Sequence, residues 1–134
     1  MITRLKNFVM VPREIRDDYA HGKITKNEFD VLLWIFLNTN PYNGFFLATY
    51  QGLVQDFKNN FSLYTIRKII PSLRKKKYIY FLSHRGREGC FPVYPVGFRL
   101  TNGEIQTLDY LKSKFSATTL THSQEQLDTE QENN

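Results

Sequence analysis

The sequence predicts an α+β fold organised as one domain. Segments with the apolar spacing of helices alternate with short runs rich in β-branched and aromatic residues, which is the pattern of a mixed fold. The chain has 134 residues, close to the usual size of a single domain, and aromatic residues make up 15% of it. We therefore expect one core built largely from flat aromatic side chains.

The amino-terminal part predicts an arm followed by a buried helix. Residues 1–24 are the expected arm, in which Pro12 biases the residue before it away from helix. Thr25 and Glu28 stand at the spacing of a capping box, so a helix is expected to begin there. The apolar residues that follow predict a helix buried on most of its surface and ending near Asn38.

Two further helices are predicted after a turn and a short strand at 45–47. Thr49 and Ser62 are their expected caps. Four apolar residues at helical spacing predict the core-facing stripe of the third helix, namely Ile66, Ile69, Ile70 and Leu73. Pro71 interrupts this helix, because a proline removes a hydrogen bond and costs about 3 kcal/mol. The helix is therefore expected to bend there or to end early.

Two β-rich runs, 78–83 and 91–94, predict a hairpin after the third helix. The segment between them, 84–90, is basic. Pro92 and Pro95 cannot donate to a β-ladder, so the returning strand is expected at the edge of a sheet.

The carboxyl-terminal part predicts one more helix and a tail. Residues 101–104, Thr-Asn-Gly-Glu, repeat the capping-box spacing and predict a helix over 101–115. Residues 116–134 are polar with hardly an apolar group, so we expect a disordered acidic tail. The predicted organisation is thus an arm, a folded unit at 25–100, a last helix and the tail.

Charge is distributed unevenly along the chain. Residues 58–100 hold ten lysines and arginines against one acid, while 116–134 hold four acids and no lysine or arginine. A basic segment favours a polyanionic partner, because cations at phosphates release condensed counterions. The acidic tail is predicted either to compete with DNA for the basic surface or to dock a protein partner.

The sequence carries no pattern of a catalytic, metal-binding or cofactor-binding site. His21, His84 and His122 fall in different segments, and none has a second ligand at the spacing of a metal site. A single cysteine, Cys90, excludes an internal disulfide. The longest apolar run is too short to cross a membrane and no signal peptide is evident, so we expect a cytoplasmic protein that is not an enzyme and needs no cofactor.

The order of helix, strand, helix, turn, helix and basic hairpin resembles a winged helix-turn-helix domain from Thr25 to about Val96. The stretch from Ala48 to Ile79 is similar to the helix-turn-helix of bacterial regulators and replication initiation proteins. Residues 8–12 resemble the amino-terminal modules of plasmid and phage replication proteins. The resemblance implies a three-helix core with a β-hairpin wing, in which the third helix enters the major groove of DNA.

The residues predicted to contact DNA lie on the third helix, about 62–76, and on the wing, about 83–91. They are Ser62, Tyr64, Thr65, Arg67, Lys68, Ser72, Arg74, Lys75, Lys76, Arg85 and Arg87. Tyr64, Lys68 and Ser72 are predicted to share one face at positions i, i+4 and i+8. Lys77 departs from the family, because many relatives have a glycine there before the wing.

The predicted function is double-stranded DNA binding, as a transcriptional regulator or as an accessory protein of replication or of a mobile element. The rival is an adaptor of the same fold whose basic face binds an acidic protein. A third alternative is RNA binding. A homodimer is left open, because the apolar stripe of the last helix can pack on its own hairpin or on a second copy.

Overall fold

The computed structural model describes residues 8–58, 60–82 and 89–115 and shows an α+β protein. In this part of the chain five helices and two small antiparallel sheets enclose one apolar core. The helices are α1 (Arg13–Ala20), α2 (Lys26–Asn38), α3 (Tyr50–Asp56), α4 (Leu63–Lys75) and α5 (residues 108–115). The strands are β1 (Phe46–Ala48), β2 (Ile79–Tyr80), β3 (Phe91–Pro95), β4 (Phe98–Arg99) and β5 (Ile105–Gln106).

The predicted caps of α2, α3 and α4 are confirmed. Thr25 Oγ1 accepts from the Glu28 amide at 3.1 Å, while the Glu28 carboxylate accepts from the Thr25 amide at 2.8 Å. Thr49 and Ser62 each accept from the backbone amide three residues on. Each cap satisfies an amide that has no partner inside its helix, which is why these local signals predict helix starts well.

The core lies between α2, α4 and the three-stranded sheet. The predicted apolar stripe of α4 is confirmed, since all four of its residues are buried. The buried residues of α2 that face it are Val31, Leu32, Ile35 and Phe36. Pairs of aromatic rings pack on the sheet side of the core, where the ring centres of Phe81 and Phe91 are 5.1 Å apart.

α4 continues through Pro71 to Lys75, so the proline does not shorten the helix. Pro71 is exposed, and the carbonyl that loses its helical donor, that of Arg67, lies on the same open side. The helix ends in two closing hydrogen bonds, from the Lys77 amide to Arg74 and from the next amide to Leu73, both at 3.0 Å. This geometry places Lys77 at φ 73°, a left-handed conformation that favours glycine.

β3 is the middle strand of the sheet, in the order β1-β3-β2, so the predicted edge position is wrong. Successive amides of a strand point to opposite neighbours, and the Val96 amide donates to the Tyr78 carbonyl on the β2 side. The backbone nitrogen of Pro92 therefore points to the β2 side, at a position beyond the end of β2. The nitrogen of Pro95 points to the β1 side, at a position before β1 begins. No ladder bond is lost, because each proline is paired with a strand only on the side that its nitrogen does not face.

The last helix begins later than predicted. Residues 101–104 belong to the turn of a β4–β5 hairpin, in which Gly103 has φ 92° and Asn102 Oδ1 accepts from the Glu104 amide at 2.9 Å. An Asn-Gly pair favours such a turn, and here it prevails over the capping-box spacing. Thr107 is the residue that caps α5, since its hydroxyl accepts an amide of the first turn.

β5 and α5 join the carboxyl-terminal part to the rest of the protein. Gln106 is fully buried, and its Nε2 donates to the carbonyls of Gly44 at 2.9 Å and Pro95 at 3.0 Å. Ile105, which falls within the predicted helix, lies in β5 with 48% of its surface exposed. Phe115 at the end of α5 contacts the chain's own hairpin, with its ring 5.6 Å from that of Tyr80.

Some of the predicted features lie outside the described residues. They are the basic wing tip with Arg85 and Arg87 and the tail at 116–134. Within the described part of the chain, no helix has the length and apolar character that a membrane crossing requires.

Candidate nucleic-acid interface

The face of α4 opposite the core carries cations and one exposed tyrosine. Tyr64, Lys68, Pro71 and Lys75 are all exposed and recur at i, i+4, i+7 and i+11, and we call these four residues the outer stripe. Tyr64 is 67% exposed, and Lys68 Nζ lies 4.4 Å from the centre of its ring. The thirteen residues of α4 include no Asp or Glu, so no carboxylate of this helix offsets its positive charge.

Arg67 and Arg74 lie on one flank of the outer stripe, each over an aromatic ring. The Arg67 guanidinium carbon is 5.9 Å from the ring centre of Tyr50 in α3. The corresponding distance from Arg74 to Phe81, just after β2, is 4.7 Å. Cation–π attraction of this kind contributes about 0.5–1 kcal/mol at exposed sites and orients the guanidinium. The positive surface therefore extends from α4 towards α3 and towards the base of the hairpin.

Tyr50 remains a neutral phenol in this environment. Burial raises the pKa of Tyr50 above its ordinary value of 10, although the nearby charge of Arg67 opposes that rise. Its ring also contacts Phe91 at 5.5 Å, which ties the start of α3 to the sheet. A neutral ring anchored in this way is a suitable support for an arginine.

Ser72 and Lys76 lie on the opposite flank and are bound to Glu28 of α2. Ser72 Oγ donates to Glu28 Oε2, and Lys76 Nζ donates to Glu28 Oε1 at 2.8 Å. The prediction that Ser72 shares a face with Tyr64 is therefore wrong. Eight residues make about 2.2 helical turns, so position i+8 is rotated by roughly 80° from position i. That rotation brings Ser72 and Lys76 to α2 and away from the outer stripe.

Glu28 is a buried, charged carboxylate, with 5% of the residue's surface exposed. Burial by itself raises the pKa of Glu28, but hydrogen bonds from Lys76, Ser72 and the Thr25 amide, with the charge of Lys76, outweigh it and hold the pKa below the ordinary 4.5. The sequence pattern around Glu28 predicts only a capping residue. Its partners on α4 are 44 and 48 residues away, and no local pattern signals them.

The amino end of α4 presents two hydroxyl groups that bond to each other. Ser62 Oγ and Thr65 Oγ1 are 3.0 Å apart, and Ser62 also accepts from the Thr65 amide at 3.1 Å. Ser62 is exposed and Thr65 is half-buried. Five of the predicted DNA contacts lie together on one open side of α4 in the described part of the chain. They are Tyr64, Arg67, Lys68, Arg74 and Lys75.

Among the described residues, no three His, Cys, Asp or Glu side chains lie close enough to hold a metal ion. Family models, curated proteins and solved structures provide no match to this chain. The winged helix-turn-helix resemblance therefore stays a prediction, and a functional proposal has to rest on the chemistry of α4.

Proposed function

We propose that this chain binds double-stranded DNA through α4, as a winged helix-turn-helix module without catalytic chemistry of its own. The observation that carries the proposal is the outer stripe with its arginine flank, a cationic surface without a carboxylate of its own helix. A module of this kind acts by recruitment or repression, in transcription or in the replication of a chromosome or mobile element. The rival adaptor function would use the same surface for an acidic protein.

The dimensions and chemistry of α4 suit the major groove. Thirteen residues form a helix about 20 Å long, and a groove about 12 Å wide admits such a helix. In this proposal Arg67 and Lys68, in its amino-terminal half, reach base edges, with Tyr64 beside them. Arg74 and Lys75, near its carboxyl end, bind phosphates, which position the protein without selecting sequence.

The test is selection from a random duplex pool at near-physiological salt, followed by affinity measurements on the enriched sequence. We expect wild type to enrich a motif and the double variant Arg67→Ala, Lys68→Ala to bind it at least about tenfold more weakly. The control is Arg13→Ala, Lys112→Ala, which removes equal charge from exposed sites on α1 and α5. In a plot of log affinity against log salt, the slope should change little in the first variant, because contacts to base edges neutralise no phosphate.

Two outcomes would overturn the proposal. Weak retention without enrichment, equal in both double variants, would mean that only net charge attracts DNA and would favour the adaptor function. Single-stranded RNA that displaces the duplex at lower concentration than duplex DNA itself would move the assignment to RNA binding.

A further inference from the structure

An open groove lies between the carboxyl half of α4 and the base of the hairpin. It has a volume of about 400 Å³ and is lined by Pro71, Arg74, Lys75 and Phe81. We call it the α4–hairpin groove. Two of its residues are cations and two are apolar, so it suits an acidic peptide that carries an apolar side chain.

The chain itself contains a segment of this chemistry. Residues 125–132, Glu-Gln-Leu-Asp-Thr-Glu-Gln-Glu, hold four carboxylates and one leucine and no lysine or arginine. Leu127 has an acid two residues before it and another directly after it. The segment therefore complements the groove in both charge and apolar character.

The path of the chain brings this segment within reach of the groove. Phe115 packs against Tyr94 at 5.0 Å and against Tyr80, and Tyr80 directly precedes Phe81 in the groove. Nine residues, 116–124, separate Phe115 from the acidic segment. Nine residues span up to about 30 Å when extended, which is enough to pass around a two-stranded hairpin. A tether this short also keeps the segment at high effective concentration.

We infer that segment 125–132 docks in the α4–hairpin groove, with Leu127 against its apolar side and the carboxylates at Arg74 and Lys75. Since both cations are also proposed phosphate contacts, the docked segment and DNA compete for them. This consequence rests on the proposed DNA binding, whereas the docking itself does not. The tail then acts as an internal competitor of DNA. A preferred DNA sequence displaces it more readily than weakly bound, non-specific duplexes do.

The experiment uses the full chain with a tail variant, Glu125→Gln, Asp128→Asn, Glu130→Gln and Glu132→Gln. Its control neutralises four exposed acids of the folded part, Glu14→Gln, Asp17→Asn, Glu104→Gln and Asp109→Asn. The first measurement needs no DNA and compares backbone amide chemical shifts with those of wild type. We expect changes at Arg74, Lys75 and Phe81 in the tail variant and none there in the control. Leu127→Ala should move the same amides by less.

The second measurement is affinity for the enriched duplex. At about 50 mM salt the tail variant should bind about fivefold more tightly than wild type and the control less than about twofold, because close charge contacts are weakly screened there. The difference should vanish at about 500 mM salt.

Each result decides between the two proposals. Unchanged amide shifts in the groove would overturn the docking, and so would equal tightening by both variants, which would be an effect of net charge. Groove shifts without DNA binding by any variant would leave the docking in place and overturn the proposed function.

Discussion

The outer stripe of α4 and the flank that faces α2 use the same residue type for different purposes. Lys76 is bound to the buried carboxylate of Glu28, whereas its neighbour Lys75 faces solvent on the outer stripe. The two lysines have equal charge and differ by about 100° around the helix axis. That angle decides whether a cation neutralises a buried carboxylate or is open to a ligand. A count of charges along the chain therefore overstates the positive surface that a partner meets.

The largest expected effect is on stability, from Glu28→Ala. This change removes the reciprocal half of the α2 capping box and both side-chain bonds to α4, so the free energy of unfolding should fall by about 3 kcal/mol. Urea unfolding followed by the fluorescence of Trp34 measures it. Asp30→Ala, which breaks an exposed pair with Lys26, is the control and should cost less than about 0.5 kcal/mol. Equal losses of unfolding free energy in the two variants would mean that the contacts of Glu28 with α4 contribute no more than an exposed pair does.

The same contact predicts a pH dependence. The pKa of Glu28 is lower in the folded state, so its contribution is present above the unfolded value and is lost as pH falls through the folded value. The stability advantage of wild type over Glu28→Gln should be constant between about pH 7 and 5.5 and shrink towards about pH 3. Urea titrations across this range test it. An advantage that increases on acidification would mean that Glu28 is not held as a carboxylate.

Lys75→Ala and Lys76→Ala form a matched pair on adjacent positions. Lys75→Ala should weaken DNA binding by about threefold to tenfold, because it removes one phosphate contact. It should leave the free energy of unfolding unchanged, because the side chain is exposed. Lys76→Ala should change affinity by less than about twofold and lower the free energy of unfolding by about 1 kcal/mol, a value reduced for its partial exposure. Affinity titrations and urea unfolding on both variants provide the measurements. Equal losses of affinity would show that the α2-facing flank contacts DNA as well as the outer stripe.

The smallest expected effect is at Lys77, directly after the carboxyl end of α4. Lys77→Gly should raise the free energy of unfolding by about 1 kcal/mol, because glycine adopts the left-handed conformation without the clash of a Cβ. Lys77→Ala removes the same charge but keeps the Cβ, so it should give no such gain. Thermal unfolding of both variants separates backbone strain from charge. A gain of the same size in Lys77→Ala would assign the effect to charge.

Local signals predicted the starts of α2, α3 and α4 and the buried side of α4. A cap at Thr25, Thr49 or Ser62 depends on a hydroxyl and an amide three residues away, so its whole geometry lies in a short stretch of sequence. The order of elements from α2 to β3 follows from the same kind of information.

Contacts between distant residues decided the rest. The spacing at 101–104 suits either a helix cap or an Asn-Gly turn, and the turn forms because β4 and β5 pair and Gln106 bonds to Gly44 and Pro95. The central place of β3 depends on strands that begin and end beside its prolines. By itself the sequence determined where α2, α3 and α4 start and which residues are apolar enough to be buried. Which cations of α4 stay open depended on Glu28, which only folding brings beside Ser72 and Lys76.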